Sequence, residues 1–482
     1  MKNKYLSYFA YLGVFSLFLV GCKAGPDYEA PVAEAPQEFM YSDMPLDSNI
    51  DLKWWEFFKD PMLDTLIHQA LDNNKNVLAT YQRMEAARAE LSIQKANLWP
   101  KFDVAGSVTG GNFFGGALTT PDPLQNTYAG VQVSWELDFW GKIRRMNESA
   151  KAQYLSSAFG LRATQIALVS EVTTTYFTLL EYEQRLKISR VTVALRDSSL
   201  QLINARFQSG IIPEIDVNQA EIQYAIAASA IPQYERQIRL IEHSLSVLVG
   251  EIPHRYETTS TLTDQDTSIH IPKGIPAELV RRRPDVLQAE QNLIAQNAMI
   301  GVAQAQRLPA ISISGLLGAN GADLTSFGAT GAAWSLGGNL LGPIFYFGQN
   351  KRRVEAERFR TQATMHDYEA AVLNAFADVE NSLVEIETYK REVEARSEHV
   401  RAALNAQRLS QQRYDKGVTS YLEYLESQRQ AFEAQLILTN LQQEYLSSYV
   451  RLYRALGGGW ISREEFEAAQ KAGQLKIFLE KK

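Results

Sequence analysis

A chain of 482 residues, 45% hydrophobic and 21% charged, is too apolar to stay disordered and long enough for several domains or one elongated one. Its net charge of −7 argues against general nucleic-acid binding, and its single cysteine excludes an intrachain disulfide framework. After the N-terminal stretch no run reaches the roughly 18 to 20 apolar residues of a membrane helix, so a mature chain that enters a bilayer must do so as a β-barrel.

Residues 1–21 read as a secretory signal, with Lys2 and Lys4 ahead of an apolar core from Tyr8 to Val20. It ends in Leu19-Val20-Gly21-Cys22. That run resembles the bacterial lipobox, in which the cysteine takes the lipid and becomes the first mature residue. The resemblance makes Cys22 the lipid-attachment residue, and Lys23 rather than Asp behind it favours the outer membrane. An incidental cysteine near an ordinary cleavage site is the competing reading. Residues 22–74 read as a proline-rich tether, GPDYEAP, followed by a helix. Trp54 and Trp55 suit either a membrane interface or an aromatic core. Asp60-Pro61 marks a helix start, with the cap ahead of proline at the first position.

The rest of the chain repeats itself. RFQSGIIPEIDVNQAE (Arg206 to Glu221) and RYDKGVTSYLEYLESQ (Arg413 to Gln428) each read as a helix end, a glycine turn and a helix start. The offset of 207 residues also pairs Gly141 with Gly348, Tyr182 with Tyr389 and Gly250 with Gly457. A period this long means a duplicated half-molecule, not a solenoid. The halves are residues 75–250 and 284–457, joined by a polar linker, 251–283, and followed by a terminal segment, 458–482.

Within each half the order is helix, strand pair, long helix, return helix. The first helix stops at Pro100 in one half and Pro309 in the other. Residues 101–139 and 310–341 alternate apolar and polar side chains about glycine-rich loops, the pattern of outer-membrane strands or of a soluble sheet with one wet face. Four strands cannot close a barrel by themselves, since about eight is the practical minimum. The long helices, 141–209 and 348–416, carry heptads: Val172, Leu179, Leu186, Val193, Leu200 and Phe207 in one, Val379, Ile386, Val393, Val400, Gln407 and Tyr414 in the other. Each would be roughly 100 Å long. The return helices are 213–249, which Pro232 should kink, and 420–456. Arg281-Arg282-Arg283 ahead of Pro284 suits a solvated face or a salt-bridged helix start.

The six histidines are scattered, and no HExxH, GxxxxGK or GxSxG pattern occurs. No catalytic constellation, cofactor motif or metal motif follows from the sequence, so an enzyme is not expected.

The chain resembles the TolC-like outer-membrane efflux channels, and among them the NodT- or OprM-type lipoproteins that serve RND pumps. The carriers are Cys22 with GPDYEAP, WWEFFKDPMLDTLI from Trp54, WELDFWGKIRR from Trp135, GIPAELVRRRPDVLQAE from Gly274, and the two hairpin turns. The resemblance implies an α+β membrane protein: a homotrimer whose four strands per chain close a twelve-stranded transmembrane β-barrel, continuous with a long periplasmic α-helical coiled-coil barrel. It implies a passive efflux duct opened at its periplasmic tip by an adaptor and an inner-membrane pump. Outer-membrane lipid is the other partner, and nucleic acid is none. At that tip it assigns the pore constriction to Glu423, Glu426, Tyr421 and Leu422, and adaptor contact to Arg206, Gly210, Asp216, Arg413 and Gly417. Thr419 stands where some members carry an arginine that locks the closed state. The alternatives are the exit channel of a type I secretion system, or a structural coiled-coil lipoprotein. No residue identifies a cargo.

Overall fold

A computed structural model describes residues 23–31, 57–111, 124–265, 283–321 and 332–458. The secretory signal, Cys22, Trp54, Trp55, the glycine-rich strand loops, Arg281, Arg282 and residues 459–482 lie outside the described residues.

Helix α1 (Pro61–Asn73) begins where Asp60 accepts from the Met62 and Leu63 N–H groups and Pro61 takes the first position. Helix α2 (Lys75–Ala96) leads to strands β1 (Lys101–Gly111) and β2 (Leu124–Leu137). Helices α3 (Lys142–Gln208) and α4 (Glu214–Val249) follow. The second half repeats the order as α5 (Pro284–Ala305), β3 (Ala310–Gly321), β4 (Ala332–Leu341), α6 (Gln349–Asp415) and α7 (Tyr421–Ala455). Both long helices have 67 residues. Strand β2 stops at Leu137, short of the alternation read to Phe139, because Asp138 turns to accept from the Ile143 and Arg144 N–H groups and caps α3. Helix α4 continues through Pro232, which leaves the Ala228 carbonyl without its usual donor.

The chain forms two compact units, and neither is a sequence repeat. One comprises Met1–Val32, Gln82–Ala158 and Gln288–Ala370; the other comprises Ala33–Tyr81, Phe159–Leu287 and Ala371–Lys482. Each takes a share of both halves.

The first unit holds an antiparallel four-stranded sheet in the order β1-β2-β3-β4, with β2 and β3 joining the halves. Among the described residues β1 and β4 each have one neighbour, so both outer edges are open. The register aligns Val104, Val131, Leu317 and Trp334 across the four strands, with Phe102, Val133, Gly315 and Leu336 next on the same face. The row between them, on the other face, is Asp103, Gln132, Leu316 and Ser335. Phe102, Val104, Val131, Leu317, Trp334 and Leu336 are all exposed. The described part of the proline-rich segment has no regular secondary structure, yet it is fastened. Arg145 donates to the Ala24 and Gly25 carbonyls, both at 2.9 Å, and Tyr28 donates to Glu290 at 3.1 Å.

In the second unit Val172, Leu179, Val379 and Ile386 are buried, as heptad positions should be. Buried Asp60 also accepts from Tyr176 at 2.8 Å and Gln265 at 2.9 Å. Arg283 takes the salt-bridged form: it pairs with Asp285 at 2.7 Å and Asp378 at 3.0 Å and donates to the Ala375 and Ala455 carbonyls. This ties the start of α5 to α6 and to the end of α7.

Candidate functional site

The residues singled out at the hairpins gather in the second unit around two turns of one construction. Gly210 and Gly417 adopt φ +73° and +72°, where only glycine is free of Cβ strain. In the first turn the Gly210 N–H donates to Phe207 O at 2.8 Å and the Ile211 N–H to Arg206 O at 3.0 Å. In the second, the Gly417 N–H donates to Tyr414 O at 3.0 Å and the Val418 N–H to Arg413 O at 2.9 Å. These are the paired bonds of a glycine C-terminal cap, and they close both long helices in the same way.

Between the turns lies a buried cluster of Ile203, Val217, Ala220, Tyr414, Tyr421, Tyr424 and Leu425. The Tyr414 ring stacks on Tyr424 at 6.0 Å and meets Tyr421 at 5.6 Å. The Arg206 guanidinium sits 4.5 Å over the Tyr414 ring, a cation–π contact between the two hairpins. Burial, with the neighbouring tyrosines, pushes the Tyr421 hydroxyl up to about 12. The Tyr421 ring, expected at the pore constriction, is buried by its own two hairpins. Leu422, Glu423 and part of Glu426 remain accessible.

Both acids have arginine partners. Glu423 pairs with Arg413 at 3.3 Å and accepts from the Thr419 hydroxyl. Glu426 pairs with Arg429 at 2.7 Å and accepts from Gln430 at 2.9 Å. The Arg429 hydrogen bonds, with help from Gln430, hold the Glu426 carboxyl down to about 2. Glu423 is in the first turn of α7 and half-buried Asp216 in the first turn of α4, where the helix dipole favours a negative charge.

Sequence reasoning missed three residues here. Ile211 and Val418 directly follow the two glycines and are exposed, an apolar residue at the tip of each turn. Their signal was available, since each is the hydrophobe just past a helix-capping glycine. Arg196, further up α3, gave no signal. Its side chain is almost wholly buried, donates to the Gln223 carbonyl at 2.5 Å and lies 5.1 Å over the Phe432 ring. Among the described residues no carboxylate is given as its partner, and burial lowers its pKa to about 10. Also among the described residues, no group of His, Cys, Asp and Glu side chains is arranged to hold a metal ion.

The family model for "Outer membrane efflux protein" matches residues 66–251 and 275–458, one match in each half. The solvent efflux pump outer membrane protein SrpC of Pseudomonas putida is 33% identical over 478 residues, covering 95% of this chain and 99% of that protein. The cation efflux system protein CusC of Escherichia coli O6:H1 is 29% identical over 451 residues, covering 92% and 97%. The solved structure of the outer-membrane channel OprN superimposes with a TM-score of 0.85 at 29% identity, covering 91% of this chain and all of that one.

Proposed function

The chain belongs to the outer membrane efflux protein family, and from that premise we propose that three copies join their sheets into one twelve-stranded transmembrane barrel that leads into a helical periplasmic duct. The observation that carries this reading is the sheet: an apolar face left exposed, a polar face opposite, and two open edges. A lipid-facing surface and a wet lumen need those two faces. Open edges in hydrocarbon are untenable, so β4 of one copy must pair with β1 of the next.

The duct is passive, with the energy supplied by an inner-membrane RND-type pump joined through a periplasmic adaptor. The adaptor contacts the hairpin ends, at Arg206, Gly210, Asp216, Arg413 and Gly417 together with exposed Ile211 and Val418. Cys22 carries the lipid anchor. Leu422, Glu423 and Glu426 line the constriction, where three copies of each acid would favour cations. Because every acid has an arginine within its own chain, that preference is modest. The double substitution Glu423→Gln with Glu426→Gln should lower cation selectivity in planar bilayers by less than half. Unchanged selectivity would remove the acidic-ring role and leave the helix-dipole role.

Native mass spectrometry of the mature protein in detergent tests the whole reading. A lipidated trimer supports barrel and anchor together. A trimer without added lipid mass keeps the channel and discards Cys22 as the anchor. A monomer defeats the channel.

A further inference from the structure

Three arginines are buried among the described residues, and two of them have their charge answered within the chain. Arg145 pairs with Asp27 at 3.1 Å and with Glu148 at 3.0 Å. Arg283 pairs with Asp285 at 2.7 Å and with Asp378 at 3.0 Å. The third, Arg196 of α3, is 2% exposed and meets neutral groups. Its Nη1 donates to the Gln223 carbonyl of α4 at 2.5 Å, and its guanidinium lies 5.1 Å over the Phe432 ring of α7. Tyr421 is the acidic group that bears on its charge, and with a hydroxyl pushed up to about 12 that group stays neutral near pH 7. A guanidinium remains protonated there even with its pKa lowered to about 10. A full positive charge is therefore enclosed by three helices of the second unit, and an enclosed charge without a counter-charge is strongly unfavourable.

The same surroundings have hydrogen-bonding capacity to spare. Arg196 Nε is buried and donates to nothing among the described residues. Gln223 Oε1 and Gln428 Oε1 are also buried and without a partner there. Gln428 belongs to this neighbourhood because its Nε2 donates, at 3.3 Å, to Ser199, one helical turn beyond Arg196. Turning an amide by half a rotation exchanges its oxygen for its NH2 group. The Gln223 and Gln428 side chains can thus supply donors as readily as acceptors. A water would complete hydrogen bonds at this place and leave the charge unanswered, whereas an anion answers both needs.

We propose that Arg196 holds a small monoanion, chloride, between α3, α4 and α7, with its Nε as the principal donor and the Gln223 and Gln428 amides turned toward the ion. The site lies within one chain and does not depend on the barrel. Because its groups come from both hairpins, an ion bound there stabilises their packing by mass action.

The test melts the mature protein in detergent, in sodium chloride and in sodium gluconate at one ionic strength, gluconate being too large to enter. Wild type should gain about 2 °C for each tenfold rise in chloride above half-saturation. Arg196→Met should gain nothing from chloride and should be the more stable of the two in gluconate alone. The same chloride dependence in both proteins, or none in either, overturns the proposal. Wild-type crystals soaked in bromide give a readout that needs no variant. An anomalous peak beside Arg196 Nε is expected. A peak there without anomalous signal marks a water and overturns the proposal, as does bromide found only on the surface.

Discussion

At the first hairpin Gly210 stands at φ +73° and at the second Gly417 at +72°, with matching cap bonds, yet Phe207 is exposed where its counterpart Tyr414 is buried. The same offset sets Glu214 against Tyr421, Gln219 against Glu426 and Arg196 against Ala403. One backbone therefore carries two chemistries. The first turn is short of anchors of its own, and the second supplies the tyrosine cluster and the paired acids. Duplication accounts for the shared turn, and side-chain divergence gave each copy different packing and charge.

Substitutions at matched positions can break the comparison. Tyr421→Ala should have the largest effect, about 3 kcal/mol of lost stability in urea unfolding, because a buried aromatic leaves a cavity. Glu214→Ala, at the matched position of the first hairpin, should change stability by less than about 0.5 kcal/mol. Equal losses would mean that the cluster is not asymmetric. Next comes Arg196→Met. Its counterpart in the second half is buried Ala403, so at this matched position only the first half carries a cation. Removing it should raise stability by about 1 kcal/mol, since an apolar replacement avoids the cost of a buried charge. A drop in melting temperature would show that the guanidinium is held by more than one carbonyl and a ring.

Gly210→Ala and Gly417→Ala should each cost about 1 kcal/mol and should match, because both glycines sit in open space and only the left-handed backbone resists a Cβ. Unequal costs would sharpen the comparison by exposing a difference between the turns that the backbone does not carry. The smallest effect is on pH. The Glu426 carboxyl is lower in the fold than in an unfolded chain, so its pairing with Arg429 stabilises the fold above the ordinary glutamate range. That contribution fades as pH falls toward about 2. Wild type and Glu426→Gln should therefore differ slightly in melting temperature near neutrality and converge at the acid end. Gln219, its counterpart, cannot titrate, so Gln219→Ala should shift melting temperature by the same amount at every pH.

Much of the fold was legible because it rests on local chemistry. The glycines at the hairpins, the proline stops at Pro100 and Pro309, and the alternation in the strands each follow from the preferences of a few neighbouring residues. The heptads marked buried positions at Val172, Leu179, Val379 and Ile386 for the same reason, but not at Phe207, which is exposed. The candidate site was legible at its turns and acids and illegible in its interior. Tyr421 reads as the first residue of a helix, and only packing against Ile203, Val217 and Tyr414 puts its ring inside.

The sequence by itself determined a duplicated molecule of long helices and alternating strands with two glycine-capped turns, since periodicity and capping are properties of a single segment. The tertiary structure decided what no segment contains. It put β2 beside β3, left β1 and β4 open among the described residues, fastened the proline-rich segment to Arg145, and gave Glu423 and Glu426 an arginine each. Those outcomes depend on which half packs against which, and residues far apart in sequence carry no local mark of their partners.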